Sequence, residues 1–460
     1  MLKILLNKWF YRWYFFATIP VVNIHGQAEV EVFNLDDCLK YGYENQALVQ
    51  NANLDRESAA AQIGEIRADG LPQIDGYADY SNFYNLQETF LPAVVFDSNA
   101  PLDEFIAVPF SQQYSGNASI SATQMLFDGS YFVGLNAAKT FKQLSEKDFI
   151  KSRQDITESI TKAYYTVLVT KVGLDLIENN YQRLDTLLTE TALMHQNGFA
   201  EKIDVNRIRV EFNNTVTLRS RAIRNLEQAY NLLKFQMGMP LSRKLELADT
   251  IEDIDFEVFE YNLSEFNYQD RVEISQLEIT RSLAELDMKN NKAQYLPSID
   301  AFATIGALTA TNTRSQVTDF NERWPDYGMF GFRLNLPIFD GLRKSYLIQQ
   351  NRIQLAQIDN EMRYLKHSID LEQEQAKRDF ANSLENMRVQ EENMKLALEV
   401  FQVTNIKYQE GIGSNLEVVD AESAYEEAQS NYFNALYDVL IAKVDMEKAL
   451  GILYQHTPEE

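Results

Sequence analysis

Apolar residues recur at helical spacing through a long stretch of the second half of the chain. From about residue 343 to residue 409 they lie three or four positions apart, as in Leu355, Ile358, Met362, Leu365 and Ile369. This spacing places them on one face of an α-helix, and no proline interrupts the stretch. The pattern predicts one helix of about 65 residues, which would be on the order of 100 Å long.

A turn marked by glycines follows this helix, and a second apolar period begins after it. Gly411 and Gly413 supply the unhindered backbone that the end of a helix requires. Ser414 or Asn415 can cap the next helix, whose apolar residues begin at Leu416. Two helical rods are therefore predicted to meet here in a sharp reversal.

The same signals occur in the first half of the chain, displaced by about 213 residues. The matching pairs are Gly198 with Gly411, LFDG at 126–129 with IFDG at 338–341, and Met237 with Leu450. A further pair, LPQID at 71–75 and LPSID at 296–300, is displaced by about 225 residues. We interpret the chain as an internal duplication, with extra residues in a proline-containing loop of the first copy.

Segments between the helical ones change to the period of two that is typical of β-strands. They are predicted at about 73–90, 114–126, 297–312 and 327–338. In the last segment, Phe330, Phe332 and Leu334 alternate with Gly331 and Arg333, so one face is apolar and the other polar.

These elements divide the chain into consecutive parts. Residues 1–27 are predicted to be a secretory signal, because Lys3, Lys8 and Arg12 accompany an apolar stretch from Trp13 to Val22. An N-terminal membrane anchor and a buried helix are the alternatives. Residues 28–250 and 251–455 form two predicted repeats, each with a helix, two strands, a long helix and a shorter helix. Residues 456–460 form a tail. The predicted helices are 35–68, 130–196, 203–236, 264–294, 343–409 and 416–449. Two of the shorter helices placed end to end would have about the length of one long helix.

The alternating strands have two explanations, a half-buried soluble sheet or part of a transmembrane β-barrel. A closed membrane barrel needs about eight strands or more, and an open sheet edge cannot lie in lipid. One chain could not span a membrane alone, so either three chains share twelve strands or the sheet is soluble. Tyr80, Tyr84, Trp324 and Tyr327 lie where an aromatic girdle would fall.

Composition removes several classes of function. The formal net charge is -25, which argues against a nucleic-acid partner, because phosphate binding needs a basic surface. The single cysteine, Cys38, allows no intrachain disulfide and is interpreted as a small helix residue. The four histidines stand apart from one another, so we expect no catalytic residue, no metal site and no cofactor. Ser159 and Lys162 match a β-lactamase fragment, but they lie within a long helical pattern.

The duplication, the Leu-Pro-x-Ile-Asp and Phe-Asp-Gly markers around the strand pairs, and the turn Tyr408-x-x-Gly411 followed by Val418-Val419-Asp420-Ala421 resemble the TolC-like outer-membrane efflux proteins. The resemblance covers nearly the whole chain after the signal. It implies a mixed α and β, mostly helical fold, with a long antiparallel α-helical barrel and four strands per chain in a shared twelve-stranded transmembrane β-barrel.

The resemblance also implies partners and a location. It implies a homotrimer in outer-membrane lipid, with a helical tunnel through the periplasm of a Gram-negative type of envelope. The trimer would be a passive exit duct for small molecules or polypeptides. A periplasmic adaptor (membrane fusion) protein would join it to an inner-membrane transporter of the RND or ABC type.

The resemblance implies roles for six residues when it is carried over position by position. Glu417 and Asp420 fall on the family's acidic constriction, where three chains would present six carboxylates that attract cations. Asp204 and Tyr408 fall on contacts that hold the tunnel closed, and Gly198 and Gly411 on the hairpin tips that the adaptor contacts. Ordinary alternatives are an acid in the first turn of a helix, a surface residue and a helix cap, respectively. Gly413 stands where some relatives carry a basic residue, which argues against a gate built on an arginine pair.

Two rival functions are compatible with parts of the sequence. An enzyme lacks a recognisable set of catalytic residues. A soluble periplasmic coiled-coil scaffold or adaptor protein without a channel would explain the helices, but it leaves the strand pairs and the signal unexplained.

Overall fold

A computed structural model describes residues 31–251, 254, 266–320 and 323–453. The predicted signal at 1–27 and the predicted tail at 456–460 lie outside these residues. The helices of the described residues are α1 (Leu35–Asn45), α2 (Ala47–Asp69), α3 (Gly129–Gln196), α4 (Lys202–Met237), α5 (Val272–Ala293), α6 (Arg343–Gln409) and α7 (Asn415–Ala449). The strands are β1 (Glu31–Phe33), β2 (Gln73–Asn82), β3 (Glu88–Pro92), β4 (Phe105–Pro109), β5 (Tyr114–Phe127), β6 (Leu245–Leu247), β7 (Ser298–Thr311) and β8 (Asp326–Asn335).

Two helices are far longer than the others. α3 has 68 residues and α6 has 67 residues, so each is a rod of about 100 Å. The α6 helix has the predicted bounds, and α3 begins one residue before the predicted start. Each rod reverses into a helix about half as long, α4 with 36 residues and α7 with 35.

The single helix predicted over 35–68 is interrupted at Gln46. This residue is extended, with φ -73° and ψ 124°, and its side chain accepts a hydrogen bond from the Leu48 N–H at 3.0 Å. The end of α4 packs against the interruption, where a Cβ on Gly238 would come within 2.8 Å of the Asn45 carbonyl oxygen. The break therefore accommodates a close backbone contact between distant parts of the chain.

The shorter helices line up beside the long rods. α2 and α5 pack on the first part of α3, and α4 and α7 pack on its last part; α6 contacts α5 and then α7. Side-chain contacts join the helices in both parts of α3. Lys151 forms a salt bridge with Glu273 of α5 at 3.5 Å, and Asn180 donates a hydrogen bond to Gln429 of α7 at 2.7 Å. No helix within the described ranges is long and apolar enough to cross a membrane.

The largest apolar core lies where α1, α3, α4, α6 and α7 meet. Ile160, Leu233 and Leu440 are fully buried there. Cys38 is also buried, and burial raises the pKa of its thiol to about 12. A thiol in this state is inert, which agrees with its interpretation as a small helix residue.

One antiparallel sheet joins the two repeats, in the strand order β2–β5–β7–β8. Its central pair is β5 from the first repeat and β7 from the second, with Ile120 opposite Ile305. The strand predicted over about 73–90 ends at Asn82, and the chain then enters a separate hairpin of β3 and β4. The strand predicted to reach 338 ends at Asn335, two residues before Pro337, which cannot donate a ladder hydrogen bond.

The register of this sheet separates an apolar face from a polar face. Ile74, Ile120, Ile305, Phe330, Phe332 and Leu334 lie on one face, and Asp75, Ser119, Ser121, Thr304, Met329 and Arg333 lie on the other. Phe330 is 87% exposed and Phe332 is 75% exposed. An apolar face of this size is not buried by any part of the described chain, so it needs a partner or a lipid environment.

The aromatic residues of the predicted girdle do not all lie on one face of the sheet. Tyr80 stacks on Tyr114 at a centroid distance of 6.4 Å, and the Trp324 ring lies over Gly116 on the same apolar face. Tyr327 instead lies on the polar face, where its hydroxyl donates to Asn117 Oδ1 at 3.1 Å. The alternation along β8 decides this difference, because Tyr327 is three residues from Phe330 and successive side chains of a strand point to opposite faces.

Candidate functional site

The turn between α3 and α4 and the turn between α6 and α7 have the same backbone form. Gly198 and Gly411 adopt left-handed conformations, with φ of 81° and 74°. The Phe199 N–H donates to the Met194 carbonyl at 2.8 Å, and the Ile412 N–H donates to the Lys407 carbonyl at 2.9 Å. These bonds form the helix-ending motif that favours glycine. Both glycines are needed for their φ values, because a Cβ at either position would meet nothing within 4 Å.

An exposed apolar side chain follows each of these glycines. Phe199 is 85% exposed and Ile412 is 78% exposed. We refer to residues 197–204 and 410–417 as the hairpin ends. Their matching geometry presents two equivalent apolar tips.

Each hairpin end continues into a helix that starts with a capping box. The Ser414 hydroxyl accepts from the Glu417 N–H at 3.2 Å, and Glu417 Oε2 accepts from the Ser414 N–H at 3.4 Å. In the first repeat, Asp204 Oδ2 accepts from the Glu201 N–H at 3.0 Å. Both predicted site acids, Glu417 and Asp204, therefore have a local structural role as well.

The two repeats differ in charge one turn further along the helix. Arg207 lies three residues after Asp204 and approaches its carboxylate at 3.5 Å. The corresponding position in the second repeat is Asp420, which is exposed like Glu417. Residues three apart are neighbours on a helix. The structure thus brings Glu417 and Asp420 together as an acidic pair, whereas the acid of the first repeat has a basic neighbour.

The predicted gate residues Asp204 and Tyr408 are not brought together in this chain. Asp204 is engaged by its own helix start and by Arg207. Tyr408 is half-buried, and its hydroxyl lies 3.5 Å from the Thr191 hydroxyl of α3. Tyr408 thus connects α6 to α3 within one subunit.

A small apolar cluster fixes the hairpin ends behind these residues. Leu187 of α3, Ile208 of α4, Phe401 of α6 and Val418 of α7 are buried together. Because the cluster takes residues from four helices, it fixes the positions of both turns relative to each other.

A buried polar cluster lies next to this apolar cluster, and its residues are not among the predicted site residues. We call it the inter-hairpin cluster; it comprises Asn180, Arg183, Glu211, Thr215, Glu422, Glu426 and Gln429. Glu422 is 1% exposed, and its Oε1 accepts from Arg183 at 2.9 Å. Asn180 donates to Gln429 Oε1 at 2.7 Å and accepts from Arg183 at 2.5 Å. Thr215 donates to Glu426 Oε1 at 3.2 Å.

Burial changes the acidity of both α7 glutamates in this cluster. Desolvation, together with the negative charges of Glu422 and Glu211, raises the pKa of Glu426 to about 7. Desolvation also raises the pKa of Glu422, although Arg183 opposes the change. The sequence does carry a signal for this cluster, because Val418, Glu422, Tyr425 and Gln429 follow the four-three spacing of a helix seam and put polar residues at buried positions.

The structure gives no support to the Ser159 and Lys162 pair as catalytic groups. The Ser159 hydroxyl donates to the Asp155 carbonyl of its own helix at 2.8 Å. Lys162 pairs with Glu158 at 2.8 Å and with Asp445 at 2.6 Å. In the part of the chain that the structure describes, no group of three or more His, Cys, Asp or Glu residues is arranged to hold a metal ion.

Comparison with known proteins agrees with this architecture. The family model described as outer membrane efflux protein matches residues 43–239 and 268–452, one stretch in each half of the chain. The outer membrane protein TolC of Vibrio cholerae is 20% identical over 422 residues, covering 91% of this chain and 91% of that protein. TolC of Escherichia coli K12 is 21% identical over 429 residues, covering 89% of this chain and 81% of that protein.

The solved structures show the same fold. The open state of the MtrE outer membrane channel of Neisseria gonorrhoeae superposes with a TM-score of 0.73 at 16% identity, covering 93% of this chain and 91% of that one. The family match extends over well more than half of the sequence and includes both hairpin ends. The chain therefore belongs to the outer membrane efflux protein family.

Proposed function

We propose that this protein forms a trimeric outer-membrane channel for efflux or type I secretion. The observation that carries the proposal is the four-stranded sheet, which has an exposed apolar face and two edge strands, β2 and β8. Edge strands leave backbone groups unpaired, and lipid cannot satisfy them. Three copies paired β8 to β2 would close the sheet into a barrel of about twelve strands, with the polar face around water and the apolar face toward lipid.

The helical layer offers a surface for the same association. α4 packs mainly on α3, and α6 packs mainly on α7 and α5. Both helices keep apolar residues exposed at helix-seam spacing, and on α6 these are Val389, Leu396, Val400 and Val403. Neighbouring copies would bury these stripes and close the helices into a tunnel.

The hairpin ends would form the periplasmic entrance of this tunnel. Glu417 and Asp420 from three copies would form a ring of six carboxylates, which would favour cations at the narrowest point. The support is that both side chains are exposed on one turn of α7, and that neither carboxylate forms a salt bridge within the described part of the chain. Tyr408 and Asp204 would hold the closed state, Tyr408 through its contact with α3.

The exposed tips suit a protein partner. Phe199 and Ile412 project beyond Gly198 and Gly411, and a periplasmic adaptor protein could cover them. The adaptor would couple the channel to an inner-membrane transporter of the RND or ABC type. The protein itself would be a passive duct without catalysis, as expected of a member of the outer membrane efflux protein family.

Reconstitution of the purified protein into a planar bilayer tests this function. The expected result is stepwise conductance, together with a cross-linked trimer in detergent. A protein that is extracted without detergent, remains monomeric and gives no conductance would instead be the soluble scaffold.

A further inference from the structure

The two helical hairpins of one chain meet at a cluster that contains three carboxylates and a single cationic side chain. Glu422 and Glu426 come from α7, Glu211 comes from α4, and Arg183 comes from α3. At this level α6 contributes the Phe401 ring, over which Arg183 lies. With all three acids ionised, the group would carry a net negative charge in a largely buried place.

Arg183 is committed to one of these carboxylates. Its guanidinium donates to Glu422 at 2.9 Å and lies 5.2 Å from the ring centres of both Phe401 and Tyr425. This position neutralises Glu422. Glu426 receives only the Thr215 hydroxyl, at 3.2 Å, among the hydrogen bonds of the described residues.

The cluster also contains an unsatisfied acceptor. Glu422 is 1% exposed, and its Oε2 has no hydrogen-bond partner among the described residues. Glu426 lies four residues further along α7, so the two side chains are neighbours on one helix face. A protonated Glu426 would carry an O–H that could donate to this oxygen, which a carboxylate cannot do.

We propose that the inter-hairpin cluster binds one proton on Glu426, and that this proton tightens the contact between the α3–α4 and α6–α7 hairpins. The proton comes from solvent and converts the Glu426 carboxylate into a carboxyl group that donates to Glu422 Oε2. This removes one of the three mutually repelling charges and satisfies a buried acceptor. The proposal concerns contacts within one chain and holds whether or not the protein is a channel.

The acidity of the cluster agrees with this assignment. Burial, Glu422 and Glu211 raise the pKa of Glu426 to about 7, from an ordinary value of 4.5, while Thr215 and Arg183 act in the opposite direction. For an acid whose folded-state pKa is raised, the stabilisation is complete below the unfolded pKa and is lost as the pH rises through the folded pKa. The hairpins should therefore be tightest in mild acid and should loosen as the pH passes about 7.

Hydrogen exchange of the full-length protein in detergent tests the proposal. The rates of the α7 amides over 418–430 are compared between the wild type and Glu426→Gln at about pH 5.5 and about pH 8.5. Because the two proteins are compared with each other at the same pH, the intrinsic pH dependence of amide exchange cancels. We expect several-fold faster exchange in the wild type at the higher pH, and equal rates at the lower pH. Equal rates at both pH values would overturn the proposal.

Two further variants test where the charge acts. Glu427→Gln removes the next carboxylate along α7, which is exposed, and it should exchange like the wild type at both pH values. Glu211→Gln removes one of the charges that repel Glu426, so the midpoint of the exchange difference should move to lower pH. An unmoved midpoint would contradict the claim that the Glu211 charge repels the Glu426 carboxylate in this cluster. Neither readout depends on conductance, so failure here is distinct from failure of the channel function.

Discussion

Asp204 and Glu417 occupy the same position in the two halves of the chain. Each is the third residue of its helix, and each carboxylate accepts a hydrogen bond from the backbone N–H three residues earlier, at 3.0 Å and 3.4 Å. The duplication has therefore kept the capping geometry in both copies. The two copies differ three residues further along the helix. Arg207 lies there beside Asp204, whereas Asp420 follows Glu417.

The double role of Glu417 gives a first prediction. Glu417→Gln preserves a capping side chain but removes its charge, whereas Glu417→Ala removes both. We expect both variants to weaken cation preference, measured as the reversal potential across a bilayer in a salt gradient. Glu417→Ala should in addition lower the free energy of unfolding by about 0.5 kcal/mol more than Glu417→Gln does, because only the alanine variant loses the capping hydrogen bond.

Asp420→Asn is the matched control for this pair of effects, because Asp420 is outside the capping box. It should weaken cation preference without a change in stability. Unchanged reversal potentials in Glu417→Gln and Asp420→Asn would remove the proposed acidic constriction and leave the channel itself in place.

The hairpin glycines give a second prediction. Gly198→Ala and Gly411→Ala would force an alanine into the left-handed region, at a cost of about 1 kcal/mol each. The space is open, so no steric clash adds to this cost. Thermal unfolding in detergent should show a lower midpoint for both variants. Gly64→Ala, in the interior of α2 with equally open surroundings, should instead raise the midpoint, because alanine favours the helix.

The long helices and their ends could be predicted because their signals are local. The bounds of α6 follow from an uninterrupted apolar period closed by Gly411 and Gly413, and Ser414, one of the two predicted capping residues, caps α7. The break at Gln46 has no comparable signal, since it results from packing against Gly238 in a distant helix. Local patterns report local conformation, and contacts between distant segments override them.

The same distinction applies to the candidate site. The resemblance names Glu417 and Asp420, whereas nothing local singles out Arg183, because polar residues in a long helix usually lie on its exposed side. The seam spacing of α7 marks Glu422 but not its partner. Only the packing of α3 on α7 makes Glu422 a buried group. The place of Tyr327 on the polar face, in contrast, follows from the sequence, since it is three residues from Phe330 in β8.

The two faces of the sheet give a third prediction. Met329 and Phe330 are adjacent in β8 and lie on opposite faces, and both are exposed in the single chain, by 55% and 87%. Phe330→Lys would place a charge in lipid, at a cost of about 2–4 kcal/mol near the bilayer centre. We expect it to lower the amount of trimer in outer-membrane fractions strongly. Met329→Lys would face water in the barrel and should assemble normally, and equal assembly of the two variants would contradict the proposed orientation of the sheet.

Leu342 gives the last prediction, because it is the one residue other than glycine with positive φ among the described residues, at 66°. It follows Gly341 at the junction between the sheet and α6, and a leucine in this conformation costs about 1 kcal/mol relative to glycine. Leu342→Gly relieves this strain but also makes the unfolded chain more flexible, so its midpoint of thermal unfolding in detergent should lie above that of a glycine variant at an unstrained leucine. Leu336→Gly is the matched control, since Leu336 and Leu342 are both 54% exposed but Leu336 has an ordinary φ. Removing that leucine relieves no strain and makes the unfolded chain more flexible, so its midpoint should fall. A fall of equal size in both variants would mean that Leu342 contributes packing in the assembled protein that outweighs its backbone strain.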